Sequence, residues 1–269
     1  MVWSRMWQRI LTAVVAGGGF LAVLSLGGNA YLTLLAVIAG IAYGEYCEMR
    51  RISWFRVESV IGLLYVWLLF FLLAVPKPFA AISPFTVTIV FLFVWMLWTV
   101  ISRNKVTVDT VGYLFVGAMY IGAGFAFMAA TRFVQDGLWL SLFVIAATWV
   151  TDSGAYLVGK RWGKHKLWPA ISPKKTVEGS IAGVVFASLT GILFGTLFKG
   201  SLFSLPNAFL LAVLISVLGQ LGDLIESALK RANNVKDSGH LLPGHGGMLD
   251  RFDSLLFTFM CLHIFHLIG

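Results

Sequence analysis

Nine stretches of this chain are long and apolar enough to cross a lipid bilayer, and that pattern leaves little choice of architecture. They run approximately over 10–27, 30–47, 57–75, 83–102, 108–130, 137–158, 179–198, 205–229 and 249–268. A membrane-spanning helix needs about 20 apolar residues. Inside hydrocarbon, backbone N–H and C=O groups must be satisfied within the protein, which a helix achieves along its own length. Only 12% of the residues are charged and 59% are hydrophobic, against about 25% and 45–50% in soluble domains. The expected fold is all-α: a polytopic integral membrane protein of about nine transmembrane helices, with no room for a soluble domain.

Charge sets the expected topology. With a cytoplasmic N-terminus and nine crossings, seventeen Lys and Arg fall on the cytoplasmic side, and only Lys77, Arg132 and Lys199 fall outside. This is a strong positive-inside bias, and it predicts an external C-terminus. Arg5, Arg9 and the apolar run to Gly28-Asn29-Ala30 resemble a cleavable signal peptide. Retaining that first span keeps the later loops in register with the charge rule. Short loops point to a bacterial inner membrane.

The formal charge of +8 suits a membrane surface or anionic substrates, and no nucleic-acid motif accompanies it. Cys47 and Cys261, the two cysteines, both fall in apolar spans and read as small buried hydrophobes. Residues 1–135 read as transmembrane scaffold. Residues 136–269 hold nearly all the distinctive polar chemistry and read as the catalytic region of one continuous membrane fold.

Nine charged residues crowd between Gly222 and Asp253. Asp223, Ser227 and Lys230 are spaced to share one helical stripe, with Glu226 beside it. Asp223 is then roughly 10 Å deeper than Lys230, and an acid inside a membrane is a functional candidate by default. The ordinary reading is a Glu226–Lys230 helix pair with a solvated Asp223.

The following loop, Lys236-Asp237-Ser238-Gly239-His240-Leu241-Leu242-Pro243-Gly244-His245-Gly246-Gly247, has the glycines that let backbone N–H groups converge on an anion. Asp250 and Asp253 then open the last span one turn apart, where acids also serve as ordinary caps. Unpartnered carboxylates about 4 Å apart repel by roughly 4 kcal/mol at an effective dielectric of 20, and a divalent cation reverses that cost. Hard oxygen ligands without cysteine or paired histidines suggest Mg²⁺, alone or with a second cation.

A second constellation surrounds the sixth and seventh spans. Asp152 sits within the sixth, about eight residues before Lys160. Ser172-Pro173-Lys174-Lys175-Thr176-Val177-Glu178-Gly179 opens the seventh, and a helix start flanked by two lysines suits a phosphate. Topogenic charge accounts for some of these lysines, but not for the aspartate. A basic, Mg²⁺-binding pocket at a membrane face suits phosphoryl or nucleotidyl transfer to a lipid, which is mostly positioning and charge neutralisation.

The run Ser227-Ala228-Leu229-Lys230-Arg231, then Lys236-Asp237-Ser238-Gly239, then Leu242-Pro243-Gly244-His245-Gly246-Gly247-Met248-Leu249-Asp250-Arg251-Phe252-Asp253, resembles the signature of the CDP-diacylglycerol synthases (phosphatidate cytidylyltransferases). Ser172–Gly179 and the multi-span layout resemble that family too. The resemblance implies that CTP and phosphatidate give CDP-diacylglycerol and pyrophosphate with Mg²⁺, in an all-helical homodimer.

The mechanism expected on that basis gives the metal to Asp223 and Asp250, with Asp253 and Glu226 as further or outer ligands. Lys174, Lys175, Lys230, Arg231 and Lys236 neutralise phosphates. Asp237, His245 and Arg251 complete the reacting centre, where His245 moves a proton or lines the loop. Ser172, Thr176, Glu178, Ser227, Gly246, Gly247 and Asp152 complete the substrate contacts. A CTP-dependent kinase acting on a polyprenol or phytol, and a cation or phosphate transporter, are the competing readings.

Overall fold

The structure is a computed structural model that describes residues 2–75, 81–198, 204–241 and 246–268. Among them are nine helices: α1 (Val2–Leu26), α2 (Gly28–Met49), α3 (Val57–Ala74), α4 (Pro84–Ile101), α5 (Val108–Phe133), α6 (Gly137–Trp162), α7 (Val177–Leu197), α8 (Leu205–Ala232) and α9 (Leu249–Ile264). Seven of them, α2 to α8, are long and apolar enough to cross a membrane. In α1 the described apolar run is Val14–Leu26, and α9 has 16 residues, short of the about 20 that a perpendicular crossing needs. The protein is an all-helical, multi-pass membrane protein. Its helices leave large apolar side chains outward, such as Phe85, Phe93, Leu97 and Val100 on α4, where lipid and not water is the solvent.

The chain divides into two compact units. The first comprises Met1–Leu138 and Asp237–Phe252, the second Trp139–Lys236 and Asp253–Ile268.

In the first unit α2, α3 and α5 form the core. Tyr46 of α2 and Tyr113 of α5 stack with ring centroids 4.3 Å apart. Each hydroxyl donates to the other residue's carbonyl, at 3.0 and 2.8 Å, so two aromatic side chains join the helices without leaving a buried hydroxyl unsatisfied. Gly117 makes room for the Tyr46 ring, which would lie 2.0 Å from an added Cβ. Trp95 of α4 is fully buried and donates its indole N–H to the Glu58 carbonyl of α3 at 3.1 Å.

In the second unit a stripe of small residues does the packing. Gly179, Gly183, Ala187, Gly191 and Gly195 repeat every fourth position of α7 and are all buried. They bring backbones together as small-xxx-small patterns do in membranes, where apolar surface alone gives no drive to associate. A Cβ on Gly183 would lie 3.1 Å from the Thr151 carbonyl oxygen of α6, and one on Gly191 would lie 2.6 Å from the Ala208 carbonyl oxygen of α8. The stripe thus holds α6 near one end of α7 and α8 toward the other.

The link from α6 to α7 is a hairpin of two antiparallel strands, β1 (Lys166–Trp168) and β2 (Ser172–Thr176), with Lys166 opposite Thr176 and Trp168 opposite Ser172. Ser172–Thr176 is therefore extended rather than the first turn of a helix. The helix starts at Val177, and the Thr176 side chain caps it by accepting from the Gly179 N–H at 3.2 Å. Pro173 explains the difference: it disfavours helical dihedrals for Ser172 and lacks an N–H.

Gly191→Val is expected to cost about 1–3 kcal/mol through overpacking, lowering the apparent unfolding midpoint in detergent by about 2–10 °C. Gly112→Ala, whose new methyl meets nothing within 4 Å, is expected to leave the midpoint unchanged or raise it. Equal midpoints for the two variants would contradict the role of the stripe.

Candidate active site

In the second unit the polar side chains gather where α8, α9 and the hairpin meet. Asp223, on α8, is half-buried. Its Oδ2 lies 2.6 Å from Nζ of Lys175, and its Oδ1 accepts from the Ser227 hydroxyl at 3.2 Å. Lys175 comes from β2, so the hairpin carries a cation to an acid 48 residues later in the chain. One turn along α8, fully buried Glu226 forms an ion pair with Lys230. Lys230 is thus the partner of Glu226, in the ordinary i,i+4 manner, and the acid is compensated within its own helix.

Asp253, on α9, is in electrostatic contact with Asp223, Asp152 and Lys230. Gly222 makes that approach feasible: its added Cβ would lie 2.7 Å from the Asp253 carbonyl oxygen and 3.0 Å from the Phe257 Cβ. A side chain there would push α9 away from Asp223. Two acids expected at the site, and a third from the sixth span, therefore share one region with two lysines.

Other expected residues serve to shape this region. Glu178 accepts from the backbone N–H groups of Lys164 and His165, at 3.1 and 3.2 Å, and lies 2.6 Å from His165 Nδ1. It closes the turn before β1 onto the start of α7. The Arg231 guanidinium donates to the carbonyls of Ile171 and Val235, at 3.3 and 2.9 Å, tying the hairpin to the end of α8 while keeping its charge there. Lys174, Lys236 and Asp152 are exposed, and Ser172 is half-buried.

The first unit holds the glycine loop. Asp250 Oδ2 accepts from the N–H groups of Ser238 at 2.9 Å and Gly247 at 2.8 Å, and the Ser238 hydroxyl lies 3.0 Å from it. Gly246, at φ +81°, adopts the left-handed backbone that favours glycine. Asp237 and Arg251 are exposed. His245 lies outside the described residues.

The same loop meets a residue absent from the expected set. Glu45 of α2 is buried, and its carboxylate accepts from the N–H groups of Met248 and Leu249. The signal for it is present in the sequence. An acid inside the second apolar stretch falls under the rule that singles out Asp223.

Among the described residues, no three acidic, histidine or cysteine side chains converge closely enough to enclose a metal ion. Mg²⁺ seldom uses such a cage: it keeps waters and is held by one or two carboxylates together with substrate phosphates. The hard oxygens of Asp223 and Asp253 fit that mode.

Residues 7–268 match the cytidylyltransferase family. The chain belongs to that family. A Bacillus subtilis (strain 168) protein named phosphatidate cytidylyltransferase is 40% identical over 264 residues, covering 96% of each chain. Proteins of the same name from Staphylococcus haemolyticus (strain JCSC1435) and Staphylococcus aureus (strain COL) are 37% and 39% identical. Each alignment covers 95% of this chain and 97% of the relative. Every charged residue of the candidate site lies within the family match.

The electrostatic arrangement around Asp223 makes a testable statement about this family member. Lys175→Met leaves Asp223 beside Asp253 with its ion-pair partner gone, and is expected to lower the apparent unfolding midpoint. Adding Asp223→Asn should restore at least half of the loss, a coupling of about 0.5–3 kcal/mol. Additive effects of the two substitutions would show that the pair is not energetically linked.

Proposed function

We propose that this protein is a phosphatidate cytidylyltransferase, transferring CMP from CTP to phosphatidate to give CDP-diacylglycerol and pyrophosphate. The observation that carries the reading is the Lys175–Asp223 contact beside Asp253, in a chain of the cytidylyltransferase family whose near-full-length relatives bear that name. A nucleoside triphosphate and a lipid phosphate bring several negative charges together, so the site must supply cations and hold both reactants in line.

A phosphate oxygen of phosphatidate attacks the α-phosphorus of CTP, the bond to the β-phosphate oxygen breaks, and pyrophosphate leaves. Near neutral pH a phosphomonoester already carries about 1.5 to 2 negative charges, so its oxygen needs no strong base. Lys174, Lys175, Lys230, Arg231 and Lys236 neutralise the phosphates. Arg231 does so from a fixed position, because two backbone carbonyls hold its guanidinium. Ser227 orients Asp223 through its hydroxyl. The glycine loop fixes Asp250 through the N–H groups of Ser238 and Gly247.

Mg²⁺ is part of this proposal. Asp223 and Asp253 would hold it with phosphate oxygens, Asp250 stands as a ligand on the sequence pattern alone, and Glu226 acts from behind through Lys230. When bound, the ion neutralises charge that develops on the phosphates. The site faces the cytoplasm of a bacterial inner membrane, the lipid enters sideways from the bilayer, and the protein works as a homodimer.

The test uses sealed inside-out membrane vesicles, the full-length protein, α-³²P-labelled CTP, dioleoyl phosphatidate and Mg²⁺. Label is expected in the lipid phase with release of pyrophosphate, and vesicles of the opposite orientation should give none. Release of CDP, with γ-label passing to an added lipid alcohol, would replace this reading with a lipid kinase. Ion flux without nucleotide turnover would replace it with a transporter.

A further inference from the structure

We infer that Glu45, on scaffold helix α2 and outside every motif of the catalytic region, is a positioning residue. It holds the glycine loop and the start of α9 in their working conformation. The inference deepens the cytidylyltransferase reading and rests on it for the loop's task, although the loop's architecture stands without it.

The contacts are specific. Glu45 is 4% exposed. Its Oε1 accepts from the Met248 N–H at 2.8 Å and its Oε2 from the Leu249 N–H at 2.9 Å. The Ser238 hydroxyl lies 3.2 Å from Oε2 and 3.0 Å from Asp250 Oδ2. With one proton, it donates to one carboxylate at a time and links the two.

The first N–H groups of a helix have no partner within that helix. A negative group placed before them is also favoured by the helix dipole. Short-range caps usually meet that need. Here the acceptor comes from α2, about 200 residues earlier in the chain, as the separations of 203 and 204 residues show.

Two glycines report how closely the loop is moulded around this carboxylate. A Cβ on Gly239 would lie 2.6 Å from Glu45 Oε1, and a Cβ on Gly247 would lie 2.5 Å from Oε2. Gly239 needs glycine because Glu45 is there, and Gly247 because Glu45, the Ser238 hydroxyl and the Gly239 backbone nitrogen all crowd the position. Gly247 also gives its N–H to Asp250 at 2.8 Å. Glu45, Ser238, Gly247 and Asp250 therefore form one connected unit, and a change at Glu45 propagates to the aspartate and the loop N–H groups. Glu45 itself has its oxygens directed at donors of the protein, so it acts through the loop and not on substrate.

Glu45→Gln keeps the shape but turns one acceptor into an NH₂ facing a backbone N–H. Gly239→Ala leaves Glu45 intact and forces the loop away from it. Both are tested as full-length protein in detergent, by amide hydrogen exchange and by CMP transfer with separate kcat and KM values. In each variant, residues 237–241 and 246–250 are expected to exchange about tenfold faster while α5 exchanges as in the wild type. The kcat should fall about 10²-fold, as misplaced reactive groups cause, and KM for phosphatidate should stay within about twofold.

Wild-type exchange across 237–241 and 246–250 in both variants would overturn the inference, as would faster exchange with unchanged kcat. Should Glu45→Gln not fold, Gly239→Ala decides by the same readouts. Should the wild type transfer no CMP, the proposed reaction fails, and the exchange comparison still decides whether Glu45 holds the loop.

Discussion

Carboxylates held close together in a largely apolar protein are the constraint around which the polar part of this structure is arranged. Asp253 interacts electrostatically with both Asp223 and Asp152, and like charges in a low-dielectric setting repel strongly. Each compensating cation has a definite origin. Lys175 is delivered by a two-stranded hairpin, Lys230 by the helix that also carries Asp223 and Glu226. The hairpin needs its own fastening, which Glu178 and Arg231 provide through backbone hydrogen bonds. A pocket that must later receive several phosphate charges thus keeps its acids close together, with its bases placed by secondary structure rather than left on mobile loops.

Close approach of backbones makes this possible. Gly222 lets α9 come against α8 beside Asp223, and the small-residue stripe of α7 lets α6 and α8 pack on one helix. In lipid, where apolar side chains gain little by meeting one another, such contacts and hydrogen bonds carry association. Gly222 and the glycines of the α7 stripe each face a backbone or side chain that leaves little room for a Cβ.

Much of this was legible beforehand, for reasons that differ by element. Helices announce themselves because an apolar run long enough to cross hydrocarbon has few other conformations, and nine charged residues between Gly222 and Asp253 stand out against such a background. Asp223 and Ser227 were readable as neighbours because four residues make one helical turn, and the structure joins them directly. Lys230 was readable on the same stripe, yet its contact is Glu226, the competing i,i+4 partner. Ser172–Thr176 looked like a helix start because lysines and a following apolar run suggest one. Pro173 and pairing with β1 make it a strand, and a three-residue strand such as Lys166–Trp168 has too short a period to detect. Glu178, expected as a substrate contact, accepts from a neighbouring turn, a link across 13 residues that no local spacing announces. Glu45 was visible as an intramembrane acid, but its partners lie about 200 residues away, and local periodicity carries no information at that range.

The most direct test of the central claim, that Asp223 and Asp253 form a phosphate-linked Mg²⁺ site, is the Mg²⁺ dependence of CMP transfer in wild type, Asp223→Asn and Asp253→Asn. Both variants should need at least about tenfold more Mg²⁺ for half-maximal turnover, or lose turnover by 10²-fold or more at saturation. Near-wild-type turnover with an unchanged Mg²⁺ midpoint in both would contradict the account and move the metal, and the chemistry around it, to other residues.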